Sequence, residues 1–552
     1  MNARFEMIAS TSYMIKESLI HVFLWLSFVY LITLPGLPVT EGVWPMPQTI
    51  SQFDERYSIN PQEFTFRYAK NSVAQPGCSV LDTAFRRYFS FMFPGYTAGK
   101  DSGTDNPGRH SWPDEDLFSV VVRVREGGCE GYPHADSREN YNLSVSAYRG
   151  VLTAETVWGA LRGLESFSQL VYQDDHNTFY VNKTEIWDFP RFQHRGVLLD
   201  TSRHFLPVKT ILKTLEAMSY SKFNVFHWHI VDDPSFPFQS LYFPDLSNKG
   251  AFHPRTHVYT RTDVRQVISH ARLHGIRVLP EFDSPGHTQS WGKGYPNLLT
   301  PCYHGGSPDG RFGPVNAAAG YSYKFMARLF KEVRDVFPDR YVHLGGDEVD
   351  STCWKSNPDV RVFMSKMGFG SDFTKLESFY MENIVNMTAA LNKTAIVWQD
   401  VFDYQERPRT LSVVEVWKGG CYLCEVRKVT RAGIRAILAS PWYLDQPGPT
   451  HDWSRYYNVR PLAFTGSEQQ KQLVIGGEVC LWGEYVDAAN LSPLLWPRAS
   501  AIAERLWSDE EQTSSVTRAF PRLAEFRCRL LRRGVRAGPL AVGHCREEYQ
   551  DV

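Results

Sequence analysis

Neither sign of charge dominates this sequence. Fifty-nine basic residues stand against 60 acidic ones, giving a net charge of −1, and no long run of one sign interrupts the balance. The electrostatic footprint that nucleic acid binding needs is missing, so polyanions are not expected as partners. No GxGxxG follows any strand-like segment, which leaves no dinucleotide cradle. No internal repeat or low-complexity tract is found, which argues against a repeat architecture. The apolar run Leu19–Leu34, placed after Lys16 and ended by Pro35-Gly36-Leu37-Pro38, has 16 residues. That is slightly short for a comfortable membrane span and longer than many signal cores. Residues 1–41 read as a targeting segment, either a cleaved signal peptide or an uncleaved type II anchor.

A chain of 552 residues is too long for one ordinary core, and 43% hydrophobic residues supply ample burial for two or more domains. Aromatics reach 14%, with 15 Trp, whose flat faces and N–H suit sugar rings as well as cores. The nine cysteines suit an oxidising compartment, and an odd number leaves at least one unpaired. Cys421 and Cys424 form a CxxC. Zinc would need two more ligands at metal spacing, so a local disulfide or two thiols is expected there. Sequons at Asn142, Asn182, Asn386, Asn392 and Asn490 agree with entry into the secretory pathway.

Residues 42–190 carry short alternating segments such as Tyr141-Asn142-Leu143-Ser144-Val145, then helical spacing over Glu155–Phe167. This predicts an α+β domain without a cluster of acid, base and nucleophile. In residues 191–552 strand-like and helical text alternate. The candidate strands are Gly196–Asp200, Asn224–His229, Arg277–Phe282, Tyr341–Leu344, Thr394–Trp398, Ser412–Trp417, Ile434–Ala439 and Val474–Trp482. Eight such units point to a (β/α)8 barrel, with a doubly wound open sheet as the fallback. In a barrel, chemistry sits at the carboxyl ends of the strands. Asp200, Arg203, Asp232, Glu281, Asp283, His287, Asp347, Glu348, Trp398, Trp417, Tyr443, Asp445, Trp482 and Glu484 all fall at or just beyond those ends. Aromatic faces beside polar anchors are what saccharide binding requires. Asp347 and Glu348 are adjacent, so they are unlike the facing pair of an ordinary glycosidase, whose carboxyls stand about 5 Å or more apart across the bond.

Seven words occur in order along the chain: DTSRHFLP, FHWHIVDDPSFP, EFDSPGH, HLGGDEVD, VVEVWK, SPWYLD and CLWGEYVD. They resemble the β-N-acetylhexosaminidases of glycoside hydrolase family 20, most closely the lysosomal alpha and beta chains, over roughly residues 42–548. The resemblance implies exo-acting, retaining removal of terminal non-reducing N-acetylglucosamine or N-acetylgalactosamine, with no metal and no cofactor. It makes Glu348 the general acid, which needs a carboxyl held protonated at mildly acidic pH. His287 and Asp232 match the relay behind that acid. Asp347 resembles the residue that holds the 2-acetamido N–H while the acetamide carbonyl attacks the anomeric carbon, the substrate-assisted departure from two-carboxylate chemistry. By the same resemblance Tyr443 donates to the acetamide oxygen and Trp398, Trp417 and Trp482 wall its pocket. Arg203, Asp445 and Glu484 hold ring hydroxyls, Arg203 through its rigid fork.

The family pattern further implies disulfides Cys78–Cys129, Cys302–Cys353 and Cys528–Cys545 with Cys480 free. It implies a homodimer, or a heterodimer with a related chain, and a lysosomal address with the secreted or membrane-anchored surface as alternatives. Tyr443-Leu444-Asp445-Gln446 follows the beta type and lacks the alpha type's Asn-Arg pair, so neutral substrates are expected to be preferred to 6-sulfated ones. His304-Gly305-Gly306-Ser307-Pro308 resembles instead the alpha-type loop associated with a lipid-presenting activator protein, and the question of gangliosides stays open. Two rival readings are carried beside this one. A metal-dependent amidohydrolase or deacetylase would use His227-x-His229 on the second strand, with His287 and an Asp. A catalytically silent glycan-binding surface protein would keep the rim and lose the chemistry.

Overall fold

The computed structural model describes residues 42–96, 119–147, 149–404, 407–445, 452–543 and 545. Its first sheet is built from alternation. The strands are β1 (Thr49–Ile59), β2 (Thr65–Tyr68), β3 (Ser119–Val124), β4 (Tyr141–Ser146), β5 (Arg149–Ala154), β6 (Tyr172–Gln173) and β7 (Phe179–Asp188). They run in the order β1-β7-β4-β5-β3-β2, with β6 paired to β7. In β4 Tyr141, Leu143 and Val145 are buried while Asn142 and Ser146 are exposed, so one face needs a cover. Helices Ser79–Met92 and Val157–Leu170 supply it, packing Leu81, Ala84, Leu161, Leu164 and Phe167 against that face. Thr156 starts the second helix by accepting a hydrogen bond from the Gly159 N–H, and Cys78 at the start of the first is bonded to Cys129.

The second sheet is a closed ring. Its strands are β8 (His194–Asp200), β9 (Val225–Val231), β10 (Arg277–Phe282), then, after a hairpin of β11 (Leu299–His304) and β12 (Ser307–Val315), β13 (Tyr341–His343), β14 (Thr394–Trp398), β15 (Val413–Val416), β16 (Arg435–Leu438) and β17 (Val474–Leu481). All eight ring pairings are parallel, and β17 pairs with β8 from Gly476↔His194 to Leu481↔Leu199. That closure overturns the fallback of an open sheet: helices cover the outside, and no ring strand is left as an edge. Every residue of β8, β9 and β10 is buried, as expected for parallel strands covered on both faces. Strand ends shift from the expected bounds by a residue or two; β13 stops at His343 because Gly345 then takes a φ of +67°.

Inside the barrel, Val225, Leu279, Tyr341, Ile396, Val413 and Ile437 form one apolar layer, and Leu198, Trp398, Ala439 and Cys480 form another. Buried polar side chains of His227, Glu281, His343, Glu415 and Glu478 also line this interior. Cys302 is joined to Cys353, Cys528 to Cys545 and Cys421 to Cys424, while Cys480 is free and buried. The open alternative at the CxxC is thus resolved as a local disulfide at the start of helix Tyr422–Arg431. Among the described residues no helix is long and apolar enough to cross a membrane, and the Leu19–Leu34 run lies outside them. Asn142, Asn386 and Asn392 are exposed. Asn182 and Asn490 use their side-chain N–H groups on the Phe53 and Tyr485 carbonyls.

Candidate active site

The path out of β13 decides where the two adjacent carboxyls go. Gly345 and Gly346 both have positive φ, +67° and +96°. A Cβ on Gly345 would lie 1.6 Å from Asp283 Oδ1, and one on Gly346 would lie 2.4 Å from Val401 Cγ2. Only glycine passes here. The Gly346 N–H donates to Asp283 Oδ1 at 2.9 Å, which folds the chain back over the end of β10. Gly345→Ala is accordingly expected to cost at least the ~1–3 kcal/mol of a strained backbone position and to lower activity with it. A thermal melt beside a kcat/KM measurement checks this, and an alanine variant with wild-type values on both would show the turn to be tolerant.

Beyond that turn Asp347 is buried, whereas the Glu348 side chain is 59% exposed. They diverge as expected, though on the turn after the strand rather than within it. Glu348 has φ +49° and His287 φ +55°, a backbone region that residues other than glycine seldom enter and that clusters at working sites. His287 Nε2 stands 3.7 Å from Glu348 Oε2 and 3.7 Å from Asp347 Oδ2. Its Nδ1 lies 3.2 Å from Asp232 Oδ1. Asp232 Oδ2 in turn meets His229 Nε2 at 2.7 Å and Arg203 Nη2 at 2.8 Å. Burial opposes the charge on Asp232, but hydrogen bonds from His229 and His287 hold its carboxyl far below the usual range. Burial likewise opposes the charge on His287, yet Asp283, Asp232 and Asp347 raise its imidazole to about 11. Burial pushes Asp347 up to about 6; His287 opposes the shift, while the Glu281 and Asp400 carboxylates add to it.

The aromatic residues gather on the other side. Trp398 lies 5.9 Å from Trp482 between ring centroids, and Tyr443 lies 6.4 Å from Trp482. The Trp417 indole donates to Asp400 Oδ2 at 2.9 Å and packs at the same cluster. Trp398, at 1% exposure, sits deeper than a free wall would. The Arg203 guanidinium lies 5.2 Å from the Trp482 ring and is held by Asp200 at 3.2 Å. Glu484 acts on both Arg203 and Asp445 through its charge, and burial raises the Asp445 carboxyl. All eleven residues singled out as catalytic or substrate-binding are among the described residues and lie at or just beyond the carboxyl ends of the barrel strands; Gln446 lies outside the described residues.

A cavity of about 350 Å³ opens beside Glu348, lined among others by Glu377, Asp400, Asp403, Tyr404 and Lys418. Sequence reasoning passed over these, and Glu377 sits within a long helix with no motif to mark it. Burial pushes its carboxyl up to about 7. The motif of the metal reading, His227-x-His229, faces carboxylates: His227 meets Glu478 at 2.9 Å, His229 meets Glu281 at 2.6 Å and Asp232 at 2.7 Å, and His227 with Glu281 and His343 forms a donor set that could also hold a cation.

Comparison with known proteins agrees with this geometry. Residues 192–510 match the model of the glycosyl hydrolase family 20 catalytic domain, and residues 43–170 match one described as beta-acetyl hexosaminidase like. The chain is 55% identical to the beta-hexosaminidase subunit alpha of Bos taurus over 514 residues, 93% of this chain and 96% of that protein. It is 52% identical to the beta-hexosaminidase subunit beta of Mus musculus over 528 residues, 95% and 96% of the two. The chitobiase of Flavobacterium johnsoniae superposes with a TM-score of 0.76 at 26% identity, covering 90% of this chain and 73% of that one. With the barrel, its leading domain and these matches in agreement, the chain belongs to glycosyl hydrolase family 20.

Proposed function

We propose that the rim is the sugar site of an exo-acting, retaining β-N-acetylhexosaminidase that uses the substrate's own acetamide as nucleophile. The activity itself follows from the family and from relatives about half identical to this chain. One observation carries the mechanism: Asp347 is buried with its Oδ1 accepting from no N–H or hydroxyl among the described residues, while its carboxyl stands against that of Asp283. A buried acceptor left empty is costly, and an acetamide N–H is the donor that would fill it. Held there, the acetamide carbonyl is turned toward the anomeric carbon, with Trp398, Trp417 and Trp482 enclosing its methyl and Tyr443 donating to its oxygen. Glu348, exposed toward the leaving group and backed by His287 and Asp232, gives up the proton and then takes one from the incoming water. Arg203, Asp445 and Glu484 hold the ring hydroxyls.

Mass spectrometry during turnover of a slow fluorinated substrate tests this reading. A glycosyl ester on Asp347 or Glu348 would show an enzymic nucleophile and end the substrate-assisted account. Activity on a chromogenic N-acetylglucosaminide separates the enzyme from a silent receptor. The same activity is expected to survive EDTA unchanged, and a metal-dependent loss would favour the amidohydrolase reading.

Relatives named as alpha and beta subunits support a homodimer or a heterodimer with a related chain, and a lysosomal address fits the sequons and disulfides. The His304–Ser307 turn is an exposed hairpin tip, available to a lipid-presenting activator protein. The Asp445 carboxylate, where a 6-sulfate would approach, favours neutral sugars. A kcat/KM on 6-sulfated N-acetylglucosaminide equal to that on the neutral compound would refute the preference.

A further inference from the structure

Glu281, on β10 beneath the rim, is fully buried and touches no part of the space assigned to substrate, yet its two oxygens gather four ring nitrogens. Oε1 accepts from the Trp398 indole at 2.8 Å and lies 3.0 Å from His343 Nδ1. Oε2 meets His229 Nδ1 at 2.6 Å and lies 3.0 Å from His227 Nε2. His229 then reaches Asp232 at 2.7 Å, and Asp232 reaches His287 at 3.2 Å. In the other direction His227 meets Glu478 at 2.9 Å, and Glu478 holds His194 at the start of β8. Imidazole and carboxylate alternate from the floor of the barrel to the rim.

A structural purpose alone accounts poorly for this. Apolar layers occupy the barrel above and below this polar column, and a packed apolar layer closes a core about as well as buried ion pairs do. The column also has a definite pattern of charge. Burial opposes each charge, but the neighbouring imidazoles hold Glu281 well below the usual carboxylate range. Glu281 and Asp232 in the same way raise His229 to about 10. Glu415, facing His227 and Glu478 from β15, goes the other way: burial and the Glu478 charge push it well above its ordinary value. His343, facing Glu281 from β13, is lowered by burial.

We propose that Glu281 is a positioning residue for the reaction. Through Trp398 it locks the wall of the acetamide pocket, and through His229 and Asp232 it fixes the imidazole behind the general acid, so one buried carboxylate ties together the two halves of the site. The proposal rests on the roles given above to Glu348 and to the acetamide pocket. It also gives the His227-x-His229 motif a use that is not metal binding: spacing of two places both imidazoles on one face of β9, where a single carboxylate spans them.

The test uses the full chain and two substrates, a 4-nitrophenyl and a methyl N-acetyl-β-glucosaminide, with a stable thiazoline mimic of the intermediate as inhibitor. Strong thiazoline inhibition of the wild type checks the substrate-assisted reading by itself; the contrasts among variants then speak to Glu281. His229→Gln breaks the link to Asp232 and also removes a ring contact of 4.9 Å with Trp482. It is expected to lose at least about tenfold more kcat/KM on the methyl glycoside than on the nitrophenyl one, and to lose less thiazoline affinity than Glu281→Gln. Glu281→Gln should show the same leaving-group contrast and in addition bind the thiazoline about tenfold more weakly, because both halves loosen. Trp398→Phe, which deletes the indole N–H, should weaken the thiazoline without a leaving-group contrast, and with His229→Gln it decides the matter should Glu281→Gln fail to fold. Equal losses on both glycosides in His229→Gln, or wild-type thiazoline affinity in both Glu281→Gln and Trp398→Phe, would overturn the proposal.

Discussion

Glu348→Gln is expected to lose about 10²–10⁴-fold in kcat/KM on glycosides with poor leaving groups and far less on activated aryl glycosides. The amide keeps the shape and the exposed position of the side chain but has no acidic proton to give. An alkoxide leaving group needs that proton as the bond breaks, whereas a nitrophenolate departs without it. His287 stays in place 3.7 Å from the altered group, because Asp232 at 3.2 Å holds it independently. Ground-state binding should change little, so the loss falls on kcat rather than KM. Steady-state kinetics across a series of leaving groups reads the effect directly. A loss of the same size for nitrophenyl and alkyl glycosides would take the acid role away from Glu348.

The ring of strands was legible because parallel strands buried on both faces write themselves as short apolar runs, and helical text separates most of them. Rim residues were legible for a related reason: whatever follows such a run in a barrel lies at its carboxyl end, so Asp200, Asp232, Asp347, Trp398 and Trp482 were placed without knowing any side-chain direction. Their partners were not. His227 and His229 stand out in the sequence, but whether they face a metal or a carboxylate depends on Glu281 and Glu478, which come from strands 52 and 251 residues away from them. The depth of Trp398 was equally hidden, since an indole at a strand end reads the same whether it is fully buried or half open. Periodicity also gave no warning of the positive φ at His287 and Glu348, because that conformation is imposed by tertiary contacts rather than by residue type.

Asp347→Asn should instead lower kcat/KM by about 10²–10³-fold for every leaving group, since it removes a charge that steadies the developing oxazolinium rather than a proton donor. A pH signature accompanies the loss. Burial places the Asp347 carboxyl at about 6, and the working form is the carboxylate, so activity of the free enzyme is present above that pH and is lost as pH falls through it. The limb should appear near pH 6 in kcat/KM. Once substrate is bound, its acetamide N–H donates to Oδ1, favours the carboxylate, and draws the limb in kcat to lower pH, which keeps the saturated enzyme working in an acidic compartment. In Asp347→Asn there is no carboxylate to protonate, so the residual kcat/KM should lack that limb altogether. His287 and Asp283 flank the position: against burial, Asp283, Asp232 and Asp347 raise His287 to about 11, while burial and the Asp347 charge push Asp283 well above its ordinary value. Parallel pH profiles of wild type and Asp347→Asn measure this. An acid limb that survives at the same pH in the asparagine variant would assign the titration, and with it the grip on the acetamide, to a different residue.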